Sequence, residues 1–460
     1  MNTDLPAELP NLQPGRQMVN GARLPHADRR AVGRASRRIV PRTQQARWQR
    51  TPDGTPALAQ LRAQEPIRVR ALLPLRYERM ALSPWSYFRG AAAVMAADLA
   101  GHAHTGLMVQ MSGDAHVLNF GLWATPERNL AFALRDFDET LAGPFEWDIK
   151  RLATSLVVIA RENGRPDEVG LDAVRTCVGE YRKRMRRYAT AGQLEIWYDA
   201  IHVEELVGYL PRRVREPARE HIAKKARKRT SQGAFDRLVE RVDGQLRIRE
   251  EPPRTTHLPE PAQVDIAHQI YEQYRQTLLP DRQVCLSNFT HVDTVRQVVG
   301  VGSVGMQVYL VLLSGPRDEP LFLQVKQAGP SVYEKHLGPS PYANHAERVI
   351  NGKRLIQSAS DMFAGWTRFA GADFYVRQFR DMKVIPDGNL LQPILADFAA
   401  ACGAALAKAH ARSGDPTAID AYLGRNPAFT TAMTVFAASY ADRNEADHAD
   451  LVAALGRSTR

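Results

Sequence analysis

A glycine turn between two strand-forming runs constrains this chain more than any other feature. In VRQVVGVGSVGMQVYLVLLSG, Gly300, Gly302, Ser303 and Gly305 stand between segments rich in valine and leucine. β-Branched residues favour pleated backbone, and glycine permits the turn between two strands. The spacing GxGxxG also occurs in dinucleotide-binding turns, but there a helix follows the last glycine. Here MQVYLVLL follows, which is a strand pattern. The expectation is a hairpin whose missing side chains let backbone approach a phosphate group. The next run, LFLQVKQA, carries Lys326 among Phe322, Leu323 and Val325. Such a lysine either fixes phosphates or points to solvent from an edge strand, and the neighbouring glycine turn favours the first reading.

A second constellation lies far upstream. Gly113-Asp114-Ala115-His116-Val117-Leu118-Asn119 is followed, seventeen residues after Asn119, by Asp136-Phe137-Asp138-Glu139. An Asp and an Asn five residues apart on a tight loop can divide two tasks. Asp114 can accept a proton from an attacking hydroxyl, and Asn119 can coordinate magnesium. Asp136, and with it Asp138, supplies the carboxylate oxygen that a hard cation prefers. Two other readings compete. These residues can be ordinary turn formers with local hydrogen bonds. Alternatively, Asp114, His116, Asp136 and Asp138 form a metal-hydrolase site, a reading weakened by the lack of an HExxH.

GDAHVLN resembles the HGDxHxxN catalytic loop of aminoglycoside and choline kinases, and LRDFDE resembles their metal-binding IDFDD segment. WDIKRLA is similar to the Asp-Leu-Ala helix start that follows in those enzymes, which places Asp148. VGVGSVG and Lys326 resemble the glycine loop and phosphate-contacting lysine of kinases. DFYVRQFRDMK resembles the hinge strand, and LAKAHARSGD the helix that ordinarily leads into the catalytic loop. That likeness implies an α+β, two-lobed kinase-like fold, circularly permuted so that the catalytic loop precedes the glycine loop. It implies ATP and Mg2+ as cofactors, a nucleotide and an unknown phosphoryl acceptor as partners, and a carboxylate partner for Lys326 on the following helix. Glu347 is expected in that place, with Glu334 the alternative. Ser112 stands where those kinases carry the first His of HGD, and no APE-like segment is visible, which points away from an ordinary protein kinase. From about residue 67 the chain also resembles the uncharacterised bacterial family called domain of unknown function 2252, through SPWSYFRG, GDAHVLNFG, DFDETLAGPFEWDIKRLATS, LQVKQA, SASDMFAGW and YVRQFRDMK.

Residues 1–60 read as a disordered basic tail, 61–250 as a helical lobe with the catalytic and metal loops, and 251–385 as a β-rich nucleotide lobe. Residues 386–460 read as helices completing the helical lobe. Within these, SPWSYFRGAAAVMAADLA begins as a helix should, with serine before proline. REEPPRTTHLPEP marks a boundary before the helix VDIAHQIYEQYRQTLL.

The net charge of +11 is concentrated in two places: ten arginines against three acids in residues 1–50, and nine Arg or Lys against two acids from Arg212 to Arg229. The second run is most simply a solvated helix face. It contains no aromatic residue on which bases could stack, so nucleic acid is not the favoured partner. Cys177, Cys285 and Cys402 are too scattered for a disulfide framework or zinc cluster. With no signal-peptide pattern and no long apolar run, the expectation is a cytoplasmic protein without a membrane partner. Function is expected to be ATP-dependent phosphotransfer. The alternatives are a non-catalytic nucleotide-binding module, a nucleotidyltransferase, or a nucleic-acid-binding protein using the basic segments.

Overall fold

The computed structural model describes residues 18–19, 22–50, 54–258, 271–300, 302–386, 388 and 391–458. Val301 of the glycine turn, the first half of the helix expected from residue 264, the end of the connector before it, and residues 1–17 of the expected tail lie outside them. The architecture is α+β, helix-rich, with several antiparallel sheets.

The largest sheet has six strands in the order Thr255–His257, Thr290–Gln297, Val308–Ser314, Pro320–Ala328, Ala372–Gln378 and Gly365–Phe369, all antiparallel. The glycine turn joins the second and third of these, as its flanking β-branched runs require. Both faces of the sheet are covered. Leu321, Leu323 and Val325 pack with Tyr274 and Phe374 on one side. Phe322 packs with Ala234, Val239 and Ile248 on the other. Strand alternation puts Gln324 and Lys326 on the Phe322 side, and the register sets Lys326 between Val308 and Tyr375. The helix His345–Ile356 follows the lysine strand, started by Asn344, whose side chain accepts from the Ala346 and Glu347 amides.

Two short ladders frame the other constellation. Met108–Met111 pairs with Leu141–Pro144, and Phe120–Ala124 pairs with Leu130–Leu134. The loops between them carry Asp114–Asn119 and Asp136–Glu139. Beneath lies a helical core in which Phe145–Glu162, Asp167–Thr190 and Leu395–Ser413 pack together. Gly403 lets two of these axes approach closely, since a Cβ there would lie 2.1 Å from the Cys177 carbonyl oxygen. Gln392–Ser413 is long and apolar enough to cross a membrane, but 83% of its apolar 18-residue window is buried inside the protein.

The basic N-terminal stretch departs from expectation. His26–Ile39 is an α-helix and Arg42–Ala46 a 3-10 helix. Both dock on the C-terminal helices by polar contacts rather than an apolar stripe. Arg29 grips Asp415 at 2.7 and 2.5 Å, and Arg37 donates to the Tyr422 carbonyl at 2.7 Å. The expected helix from Ser83 is broken at Ala91 into Pro84–Gly90 and Ala92–Ala100. Its cap is as expected: Ser83 Oγ accepts from the Ser86 amide at 3.2 Å.

Candidate functional site

The loop after Met111 turns sharply at Gly113, whose φ of +80° is left-handed backbone, and a Cβ there would lie 2.3 Å from the Glu139 carbonyl oxygen. Asp148, in the first turn of Phe145–Glu162, fixes this turn by accepting the Ser112 and Gly113 amides at 2.7 and 3.0 Å. The buried His410 ring lies 3.3 Å from the same carboxylate, and the Tyr181 hydroxyl sits 2.9 Å from its other nitrogen. Ser112 Oγ donates to the Asp136 carbonyl at 3.1 Å, tying the two loops together.

Asp114 faces the cavity beyond this turn. Arg151, from the next turn of the same helix, donates to its Oδ1 at 2.9 Å and to the Phe88 carbonyl at 2.7 Å. Burial pushes the Asp114 carboxyl up, with Arg151 opposing. Asn119 closes the loop through its Nδ2, which donates to the Asp114 carbonyl at 2.8 Å. His116 packs edge-on against Trp85, with its Nδ1 buried and without a hydrogen-bond partner, and burial keeps its ring neutral. Asp136 is half-buried, and Lys326, Arg377 and Arg135 overcome the cost of that burial and hold it below the usual carboxylate range.

The sheet contributes the opposite wall. Lys326 pairs with Asp138, whose other oxygen accepts the Tyr375 hydroxyl at 2.8 Å. The glycine turn is stapled from outside by Arg68, which donates to the Gly302 and Val304 carbonyls at 3.1 and 2.5 Å. Asp114, Asn119, Asp136, Asp138, Gly300, Gly302, Ser303 and Lys326 all line one cavity of about 200 Å3. Residues as far apart as Asp114 and Lys326 thus meet at one place.

Two expected residues do not. Gly305 lies outside the cavity lining, and a Cβ on it would meet Arg68 at 3.0 Å, so its role is close packing under the staple. Glu347 is not the partner of Lys326; Asp138 is. The following residue, Arg348, turns inward instead. It donates to the Thr140, Asp138 and Gly329 carbonyls at 2.6, 2.8 and 2.9 Å and lies 3.5 Å from Glu334. A buried arginine in that position already occupies the space an inward glutamate needs.

Sequence reasoning missed the arginines. Arg89 lines the cavity with its Nε buried and unpartnered, and Arg135 and Arg377 line it as well. Only the run SPWSYFRG hinted at Arg89. The cavity therefore mixes acids with cations, and this donor set suits a magnesium-bound phosphate. Asn119 and Asp136 offer oxygen ligands, while Arg89 and Lys326 offer charge to an anion. Among the described residues no three His, Cys, Asp or Glu side chains converge on a metal position. Magnesium commonly takes one or two carboxylates and completes its shell with water and phosphate.

No curated protein and no solved structure matches the chain. The model of a bacterial family described as "Uncharacterized protein conserved in bacteria (DUF2252)" matches residues 68–454, and the chain belongs to that family.

Proposed function

We propose that this protein is an ATP- and magnesium-dependent phosphotransferase built on a circularly permuted, two-lobed kinase-like fold. The observation that carries the reading is the shared cavity of Asp114, Asn119, Asp136, the glycine turn and Lys326. In kinases the glycine loop joins two strands and the phosphate-binding lysine stands on the third, followed by a helix. Thr290–Gln297, Val308–Ser314, Pro320–Ala328 and His345–Ile356 follow that order. The permutation is supported by the end of Leu395–Ser413. Ser413 Oγ accepts the Gln110 amide at 3.0 Å, beside the strand that enters the catalytic loop. A chain cut between that helix and that strand gives the order seen here.

In this reading Asp114, oriented by Arg151, accepts the proton of an attacking hydroxyl, a task suited to a carboxyl raised by burial. Asn119 and Asp136 hold magnesium, which when bound neutralises charge on the phosphates. Lys326 has three N–H donors, one of them engaged by Asp138, and offers the others to the triphosphate. Backbone at Gly300 and Gly302 covers the same group.

Calorimetric titration with ATP tests this. Wild type is expected to bind ATP strongly only with Mg2+, Lys326→Ala to bind at least about 10-fold more weakly, and Asp136→Asn to lose the magnesium dependence. Equal binding with and without Mg2+, or undiminished binding by Lys326→Ala, refutes the assignment.

A further inference from the structure

Beside the carboxylate cavity lies a second, larger one of about 490 Å3, and Arg135, Val299, Gln324 and Arg377 line both. The two are chambers of one cleft. The second chamber differs sharply in charge. Half of its lining residues are Arg or Lys, and the one acid among them, Glu251, is already paired with Arg254 at 3.4 Å.

The basic run at Arg212–Lys228 is part of the reason. Its C-terminal end is not merely a solvated face. The Arg229 carbonyl accepts the Met382 amide at 2.7 Å, and Arg229 Nη1 donates to the Lys383 carbonyl at 3.0 Å. Lys225, Lys228 and Arg229 are thereby fixed against the segment that follows the last long strand of the sheet. That segment is itself anchored, since Leu122 and Val384 exchange both amide–carbonyl bonds at 2.9 Å.

Arg380 and Met382 in this segment have φ of 54° and 49°, left-handed backbone that side-chain-bearing residues seldom adopt. Such conformations persist where surrounding structure enforces them, and they cluster at ligand sites. Here the enforced turn brings Arg380 and Lys383 to the chamber wall. Burial, together with Arg377 and Lys353, depresses the Lys383 ammonium well below its ordinary range. Arg and Lys side chains gathered in this number on one chamber are suited to a multiply charged anion.

We propose that this chamber binds the di- or triphosphate group of a phosphorylated small molecule. Its volume falls within the range of small-molecule pockets, about 300–1,000 Å3. A chamber of that size suits a compact ligand better than a nucleic-acid strand, which tracks along an extended groove. Two sources share this chemistry: the triphosphate of a nucleotide lying reversed in the cleft, or a separate phosphorylated acceptor.

The experiment is calorimetry on the full chain with inorganic tripolyphosphate, at several salt concentrations, with and without ATP and Mg2+. Wild type is expected to bind tripolyphosphate, with affinity falling steeply as salt rises. Arg380→Gln and Lys383→Met are expected to weaken binding at least about 10-fold. Arg237→Gln, at an exposed lining position, serves as a variant that leaves the fold intact and is expected to weaken binding less. If ATP competes with tripolyphosphate and Arg380→Gln weakens ATP as well, the nucleotide's own triphosphate is the occupant. If both bind together, a separate phosphorylated acceptor is. The inference is overturned if wild type ignores tripolyphosphate, if all three variants bind it unchanged, or if the chamber accepts only single-stranded oligonucleotide. It does not depend on the proposed phosphotransfer: tripolyphosphate bound while ATP is refused would refute that function and leave this site standing.

Discussion

Asp148 is 1% exposed and touches no cavity residue directly, yet it holds the Ser112 and Gly113 amides and lies 3.3 Å from His410. Removing its carboxylate leaves two buried amide donors without acceptors. Each such group costs about 1–3 kcal/mol. Asp148→Ala is therefore expected to lose roughly 2–4 kcal/mol in denaturant unfolding. Asp167→Ala, which breaks an Arg161 pair whose acid is 52% exposed, is expected to lose no more than about 1 kcal/mol. Equal losses would show that Asp148 does not organise the loop. The residue types of this site were legible because GDAHVLN, DFDE and VKQA are local. Their partners were not. Lys326 meets Asp138 across 188 positions, and Arg151 reaches Asp114 across 37, separations that no local spacing encodes. The expectation of Glu347 failed for the same reason, because only the packed structure shows Arg348 filling the inward position.

Leu395–Ser413 illustrates how an element's surroundings override its local chemistry. The helix is buried on all sides, and its alanine and glycine content lets Asp167–Thr190 pack against it closely. That much is readable from ILADFAAACGAALAKAHARSG, where the polar residues are too few to form a solvated face. What is not readable is the fate of Lys408. It is 2% exposed, its Nζ has no hydrogen-bond partner, and burial, with Arg412 nearby, pushes its ammonium down to about 7. The unfolded chain titrates this lysine near 10.4. Above that value both states are neutral and nothing is lost. As pH falls from there to about 7 the unfolded chain takes up the proton first, so stability declines, and below about 7 the loss is constant. Lys408→Met is expected to be more stable than wild type at pH 7 by a few kcal/mol, with the difference shrinking toward pH 10. Melting curves of both proteins across that range check this. A difference that does not change with pH would mean that Lys408 stays charged in the folded protein.

At the scale of the whole molecule, the N-terminal arm ties together elements that are distant in sequence. Arg29, Arg37 and Arg42 cap the Pro416–Leu423 helix region at both ends: Arg29 on Asp415, Arg37 and Arg42 on the Tyr422 and Leu423 carbonyls. Gly33 lets the arm lie flush, since a Cβ there would fall 2.0 Å from the Ala418 carbonyl oxygen. Arg50 then bridges Asp98 and Asp447, two carboxylates with side chains only 5% and 2% exposed. An arginine-rich segment without apolar periodicity reads as a disordered tail, because pattern reasoning registers the hydrophobic stripe and not the guanidinium that finds a buried acceptor. Breaking a buried ion pair by deleting one partner typically costs about 3–5 kcal/mol. Tyr440 still donates to Asp98 and Arg443 to Asp447, so Arg50→Met is expected at the lower end, on the order of 3 kcal/mol. Removal of residues 1–50 takes away the Arg29, Arg37 and Arg42 contacts as well, and is expected to destabilise further. Arg34→Ala, at an exposed position of the same helix, is the control and should change little. Thermal melts ranked wild type, Arg50→Met, then the shortened chain establish the arm as a clamp on the C-terminal helices. If the shortened chain melts with wild type, the arm rests on the surface without holding it.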